Sequence, residues 1–180
     1  MIKNLTPQQI LEIQSTINTF TKIEKEDLPK CRKAIQYYTN QLPLYHSLDK
    51  INSIQEQIKY AKQDENSYID DLSKHKQSLL KMGLTLQNLS SKILETNKIL
   101  ESAKYHHGTS SKKYTQINYE YKYLSRAFNI LNSNYQTPLE ILQQKRNNLS
   151  QHVEKLDNTQ EINICKKHIE KITNKILKYL

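Results

Sequence analysis

Apolar residues recur along most of the chain at alternating steps of three and four, the spacing that lines one side of an α-helix and lets it lie against another. Ile10, Ile13, Ile17 and Phe20 form the first such row. Thr6-Pro7 in front of it supplies an N-cap hydroxyl and a proline at the first helical position, where an amide hydrogen is not needed. Asp27-Leu28-Pro29 is expected to break this helix and cap a second, whose row is Leu28, Cys31, Ile35, Tyr38 and Leu42. Pro43 is expected to stop that helix, because proline has no N–H to donate. A third row runs Leu44, Leu48, Ile51, Ile54, Ile58 and Ala61.

From Asp64 the pattern resumes through Tyr68 or Ile69, Leu72, Leu79 and Met82, and beyond Gly83 through Leu86, Leu89, Ile93, Leu100 and Ala103. Gly83 leaves two alternatives, a kink in one long helix or a reversal of the chain, since a mid-helix glycine costs only about 1 kcal/mol relative to alanine. The stretch 105–111, with Gly108 and Thr109-Ser110-Ser111, is the clearest loop. Tyr114, Ile117, Tyr121, Leu124, Phe128 and Leu131 mark the helix after it, and Asn132-Ser133-Asn134 ends that helix. Thr137-Pro138-Leu139-Glu140 reads as a capping box opening a helix lined by Leu142, Leu149, Val153 and Leu156. Asp157-Asn158-Thr159 interrupts before a last row of Ile162, Cys165, Ile169, Ile172, Ile176 and Leu180. The pattern predicts an all-α fold of about six helices, an antiparallel helical bundle or an elongated coiled-coil hairpin. It is expected to be one domain over 1–180, with a division into 1–104 and 112–180 around the 105–111 loop as the alternative.

Composition supports that expectation and adds one qualification. The apolar set is almost entirely 22 Leu and 20 Ile, with one Val, two Phe and two Gly, which suits helices and denies sheets their turns. The richness in Lys, Asn, Ile and Tyr also matches an AT-rich coding bias, which weakens arguments from abundance alone. Two cysteines, Cys31 and Cys165, cannot build a disulfide framework. With no continuous apolar leader or span, the protein is expected to be soluble, in a reducing, cytoplasmic compartment.

Charge is uneven. Residues 1–90 hold 12 basic and 10 acidic side chains, and residues 91–180 hold 15 and 8. Lys167, Lys171, Lys175 and Lys178 fall at helical spacing on the final helix and can dock on acidic protein, nucleic acid or an anionic membrane. The competing account is a solvated lysine face. A second cluster sets Tyr119 and Tyr123 one turn apart beside Lys112, Lys113, Lys122 and Arg126, while Tyr114 and Tyr121 belong to the apolar row. Aromatic rings beside cations stack bases or anchor interfaces.

The common catalytic signatures are missing, since two glycines cannot build a phosphate loop together with a nucleophile elbow. Cys165 and His168 could share a helix face as half a metal site, but Cys165 lies on the apolar row and no second ligand pair accompanies it. His106-His107 offers at most one good ligand each, and Asp64-Glu65 and Asp70-Asp71 read as acids complementing a nearby helix start. No catalytic residue, metal or cofactor is assigned. The chain resembles helical-bundle adaptors and secreted effectors of AT-rich intracellular bacteria, which would act in a host cytoplasm, without a motif that names a family. The function expected is a non-catalytic scaffold or adaptor that binds another protein or itself through its helical seams, with no small-molecule substrate. The alternative is an anion-binding module that contacts nucleic acid or acidic membrane through the basic C-terminal half.

Overall fold

The computed structural model describes residues 6–179, which form seven α-helical segments and no strand. They are α1 Pro7–Lys22, α2 Leu28–Gln41, α3 Leu48–Lys81, α4 Leu86–His107, α5 Lys112–Leu131, α6 Pro138–Val153 and α7 Thr159–Ile176. A π-helical stretch, Ile23–Asp27, joins α1 to α2 without a gap, so these residues trace six uninterrupted helices. The chain divides into two compact units, Met1–Tyr135 and Gln136–Leu180. Leu180, the last residue of the final apolar row, lies outside the described residues.

In the first unit the core gathers Ile13, Ile17, Phe20 and Ile23 with Leu28, Leu72, Leu79, Leu84 and Leu89 and, from the end of α5, Ala127, Ile130 and Leu131. Each fully buried Leu, Ile or Phe there is worth roughly 1.5–3 kcal/mol relative to exposure. Two helical hairpins leave this core. In one, α2 and α3 are antiparallel, fixed by a hydrogen bond from the Cys31 thiol to the Ala61 carbonyl at 2.9 Å and by an Arg32–Glu65 ion pair at 2.7 Å. In the other, α4 packs on α5, with Thr96, Leu100 and Ala103 of α4 buried and Tyr114, Ile117 and Tyr121 of α5 half-buried. The loop between α4 and α5 is shorter than the spacing predicts. Tyr105, His106 and His107 continue α4, and Gly108 ends it with φ +72°.

The break expected at Asp27-Leu28-Pro29 does not occur. Asp27 keeps helical backbone angles and makes no side-chain cap, while the Leu28 N–H donates to the Ile23 carbonyl, five residues back. An α-helical turn would drive the Pro29 ring into the carbonyl four residues before it, and the wider π turn relieves that clash. Ile23 and Leu28, both buried, hold the two sides of the turn in the core. Pro43 does stop α2, which closes in a 3-10 turn at Leu42–Leu44.

Gly83 ends α3 and does not kink it. With φ +81°, its N–H donates to Leu80 O at 2.9 Å and the Leu84 N–H donates to Leu79 O at 3.2 Å, the paired bonds of a Schellman cap. Leu79 and Leu84, 0% and 2% exposed, supply the apolar contact such a cap carries. Thr85 then caps α4 by accepting from the Asn88 N–H at 3.2 Å. A Cβ at Gly83 would meet nothing within 4 Å, so Gly83→Ala tests the backbone alone. It is expected to lower stability by about 1–2 kcal/mol in urea unfolding, the cost of a left-handed L-residue.

The second unit is the α6–α7 hairpin. Thr137 accepts from the Glu140 N–H at 3.2 Å while Glu140 accepts from the Thr137 N–H at 2.6 Å, the reciprocal box the sequence predicts. Asn158 opens α7 by accepting from the Gln160 N–H at 2.9 Å. Leu142, Leu149, Val153, Ile162, Cys165, Ile169 and Ile172 are all half-buried, and Thr137 and Ile176 alone among the described residues of this unit are buried. Row ends elsewhere are also open. Ile10, Leu44, Leu48 and Leu86 are 42%, 66%, 70% and 39% exposed, because each lies at a helix end where the neighbouring helix no longer covers it.

Candidate interaction surfaces

Successive helical residues are rotated by about 100°, so Lys112, Tyr119, Lys122, Tyr123 and Arg126 fall on one side of α5. Lys113 lies about 120° from Tyr119 and belongs to a different flank. Tyr119 is 56% exposed, and its ring centroid stands 4.7 Å from that of Tyr123 with the rings tilted by 56°. Their hydroxyls are hydrogen-bonded at 3.0 Å, and the Arg126 guanidinium lies 5.9 Å from the Tyr123 ring centroid. The result is a ladder of Tyr119, Tyr123 and Arg126. Tyr123 is packed partly against the core, which anchors the inner end of the ladder, while Tyr119 is the open rung. The hydroxyl bond also raises the Tyr119 phenol above its ordinary pKa, chiefly because it favours the protonated form.

On α7, Lys167, Lys171 and Lys175 are exposed on the side opposite the row of Ile162, Cys165, Ile169, Ile172 and Ile176. Lys178 is exposed as well but lies beyond the helix, in the turn that follows Ile176. None of these four lysines is ion-paired among the described residues. Lysines four apart repel each other, each such pair costing roughly 0.2–0.5 kcal/mol on an exposed helix. Lys171→Gln relieves two such pairs. It is expected to raise the unfolding midpoint slightly at low salt, a gain that vanishes in high salt, as thermal scans by circular dichroism at two ionic strengths would show.

The other groups singled out by sequence have plainer roles. Asp64-Glu65 and Asp70-Asp71 sit in the middle of α3, not near a helix start, because α3 begins at Leu48. Glu65 pairs with Arg32, and Asp71 accepts from Lys74 at 2.9 Å. The Cys31 thiol is pushed above its ordinary pKa by burial first and then by Asp64 and Glu65. Its alkylation near neutral pH is expected to be slower in the folded protein than in urea, measured by timed iodoacetamide labelling. His106 and His107 lie with ring centroids 6.4 Å apart, and among the described residues no group of three His, Cys, Asp or Glu could hold a metal ion. No described helix is long and apolar enough to cross a membrane.

One polar site escaped the sequence. Lys76 is 8% exposed and donates from Nζ to the carbonyls of Ser133 at 2.8 Å and Tyr135 at 2.9 Å, tying the chain after α5 to α3. Its signal was the empty place in the apolar row between Leu72 and Leu79, where a buried residue was due. Thr96, 2% exposed, fills the corresponding place between Ile93 and Leu100. Compared with family models, curated proteins and solved structures, the chain matches none of them.

Proposed function

We propose that this protein is a non-catalytic helical interaction protein that receives helices of a partner, or of a second copy, along its hairpin seams. One observation carries this reading: from Pro29 to Asp71, across the whole α2–α3 hairpin beyond the core, no described residue is fully buried. Cys31, Ile35, Tyr38, Ile51, Ile54, Ile58 and Ala61 are apolar yet only half-covered, as expected when two helices meet and no third closes over them. The tip adds Leu44 and Leu48, and burying two leucines on association is worth roughly 1.5–3 kcal/mol each. The test compares wild-type protein with Leu44→Glu and Leu48→Glu, both exposed positions that leave the fold intact. Affinity capture from the native host, followed by hydrogen exchange of the complex, is expected to show protection along α2–α3 and loss of the partner in the variants. A captured set that ignores both substitutions, with α2–α3 exchange unchanged, would remove the reading.

A second reading has its own observation, the exposed, unpaired lysines of α7. They suit an acidic macromolecule, nucleic acid or anionic membrane through their charge. Charge reversal of Lys167, Lys171 and Lys175 is expected to abolish low-salt binding to such a surface, and binding that survives it would exclude this use of α7.

A further inference from the structure

We propose that the outer side of α5 is a platform for single-stranded nucleic acid, in which unpaired bases extend the ring ladder from Tyr119 while phosphates meet Lys112, Lys122 and Arg126. This goes beyond the helix-docking reading and does not depend on it. Between Lys112 and Arg126 the positions that share this side are Lys112, Thr115, Gln116, Tyr119, Lys122, Tyr123 and Arg126, with no carboxylate among them, and one turn further on the buried Ile130 carries the same side into the core. Glu120, the only acid on α5, lies about 100° away from Tyr119. Lys112, Lys122 and Arg126 take part in no ion pair among the described residues, so their charge is uncompensated.

Cations alone would suit any polyanion. The rings narrow the choice. Tyr123 is already engaged by Tyr119 one turn before it and by Arg126 three residues after it, so the ladder is open at Tyr119, which is 56% exposed. A flat π-face is what completes it, and an unpaired base carries one beside its own phosphate, whereas the bases of a duplex are already stacked on each other. The bond between the two hydroxyls holds the rings in place before anything arrives, which lowers the ordering cost of stacking. From Lys112 to Arg126 the helix rises about 21 Å, room for roughly six nucleotides stacked about 3.4 Å apart and for fewer if the strand is extended.

Fluorescence anisotropy of a labelled oligouridine of about 12 nucleotides, titrated with the full chain at two salt concentrations, tests the proposal. The expected results are binding at low salt, a loss of about tenfold for Tyr119→Ala, and a smaller loss for Tyr119→Phe, which keeps the ring but gives up the hydroxyl bond that orders it. Lys112→Ala with Lys122→Ala should flatten the salt dependence by about two phosphates' worth. Each variant is altered at exposed positions and is expected to keep the wild-type helical circular dichroism spectrum. No binding at low salt overturns the proposal. So does Tyr119→Ala binding like wild type, or a duplex of equal length or a phosphatidylserine vesicle binding as tightly as the single strand.

Discussion

Phe20→Ala is expected to lower the unfolding free energy of the first unit by about 4 kcal/mol, the middle of the range for removing a fully buried phenylalanine. Phe20 is 1% exposed at the point where the first long helix meets the ends of α3 and α5. Its ring meets that of Tyr135 edge to face, with centroids 5.8 Å apart and planes at 76°. Alanine removes both the burial and this contact, and the cavity it leaves is walled by helices that cannot close over it without moving the hairpins. Domains of this kind have only about 5–15 kcal/mol to lose. Urea unfolding followed by far-UV circular dichroism should therefore show a large fall in midpoint, with Phe20→Leu losing much less because most of the volume remains. A loss under about 1 kcal/mol for the alanine variant would mean that Phe20 does not sit in a closed core.

Lys76→Met should cost about 2–3 kcal/mol, for a reason of a different kind. Methionine keeps the length and apolar contacts of the lysine stem but leaves the Ser133 and Tyr135 carbonyls without their donor, and a hydrogen bond from a charged group is worth about 1.5–3 kcal/mol. The segment after α5 should loosen first, which hydrogen exchange would register at residues 132–135 before any global change. Gln77 is the internal control. It is 7% exposed with its Oε1 buried and unpartnered, so Gln77→Met should leave stability unchanged or raise it by up to about 1 kcal/mol. If both substitutions destabilise alike, the cost lies in repacking α3 and not in the lysine's hydrogen bonds.

What the sequence determined by itself was everything that acts within a turn or two of helix. The three-four apolar rows impose helices, Thr6 and Thr137 cap α1 and α6 through partners three residues on, and Pro43 ends α2 because it lacks a donor. The spacing of Tyr119 and Tyr123 likewise placed the rings one turn apart before any geometry was known. Tertiary structure decided the rest. Ile23 and Leu28 are both drawn into the core, and that keeps the chain helical through a stretch whose Asp-Leu-Pro signature, taken locally, predicts a stop. Gly83 was ambiguous because a glycine inside a helix costs little, and the choice fell to Leu79 and Leu84, which are buried together only if α3 ends there. Lys76 shows in the sequence only as a gap in the apolar row, and what fills the gap depends on acceptors 57 and 59 residues away. The common reason is range: propensity, capping and periodicity are properties of neighbours along the chain, whereas burial and the company a polar group keeps depend on segments that meet only after folding.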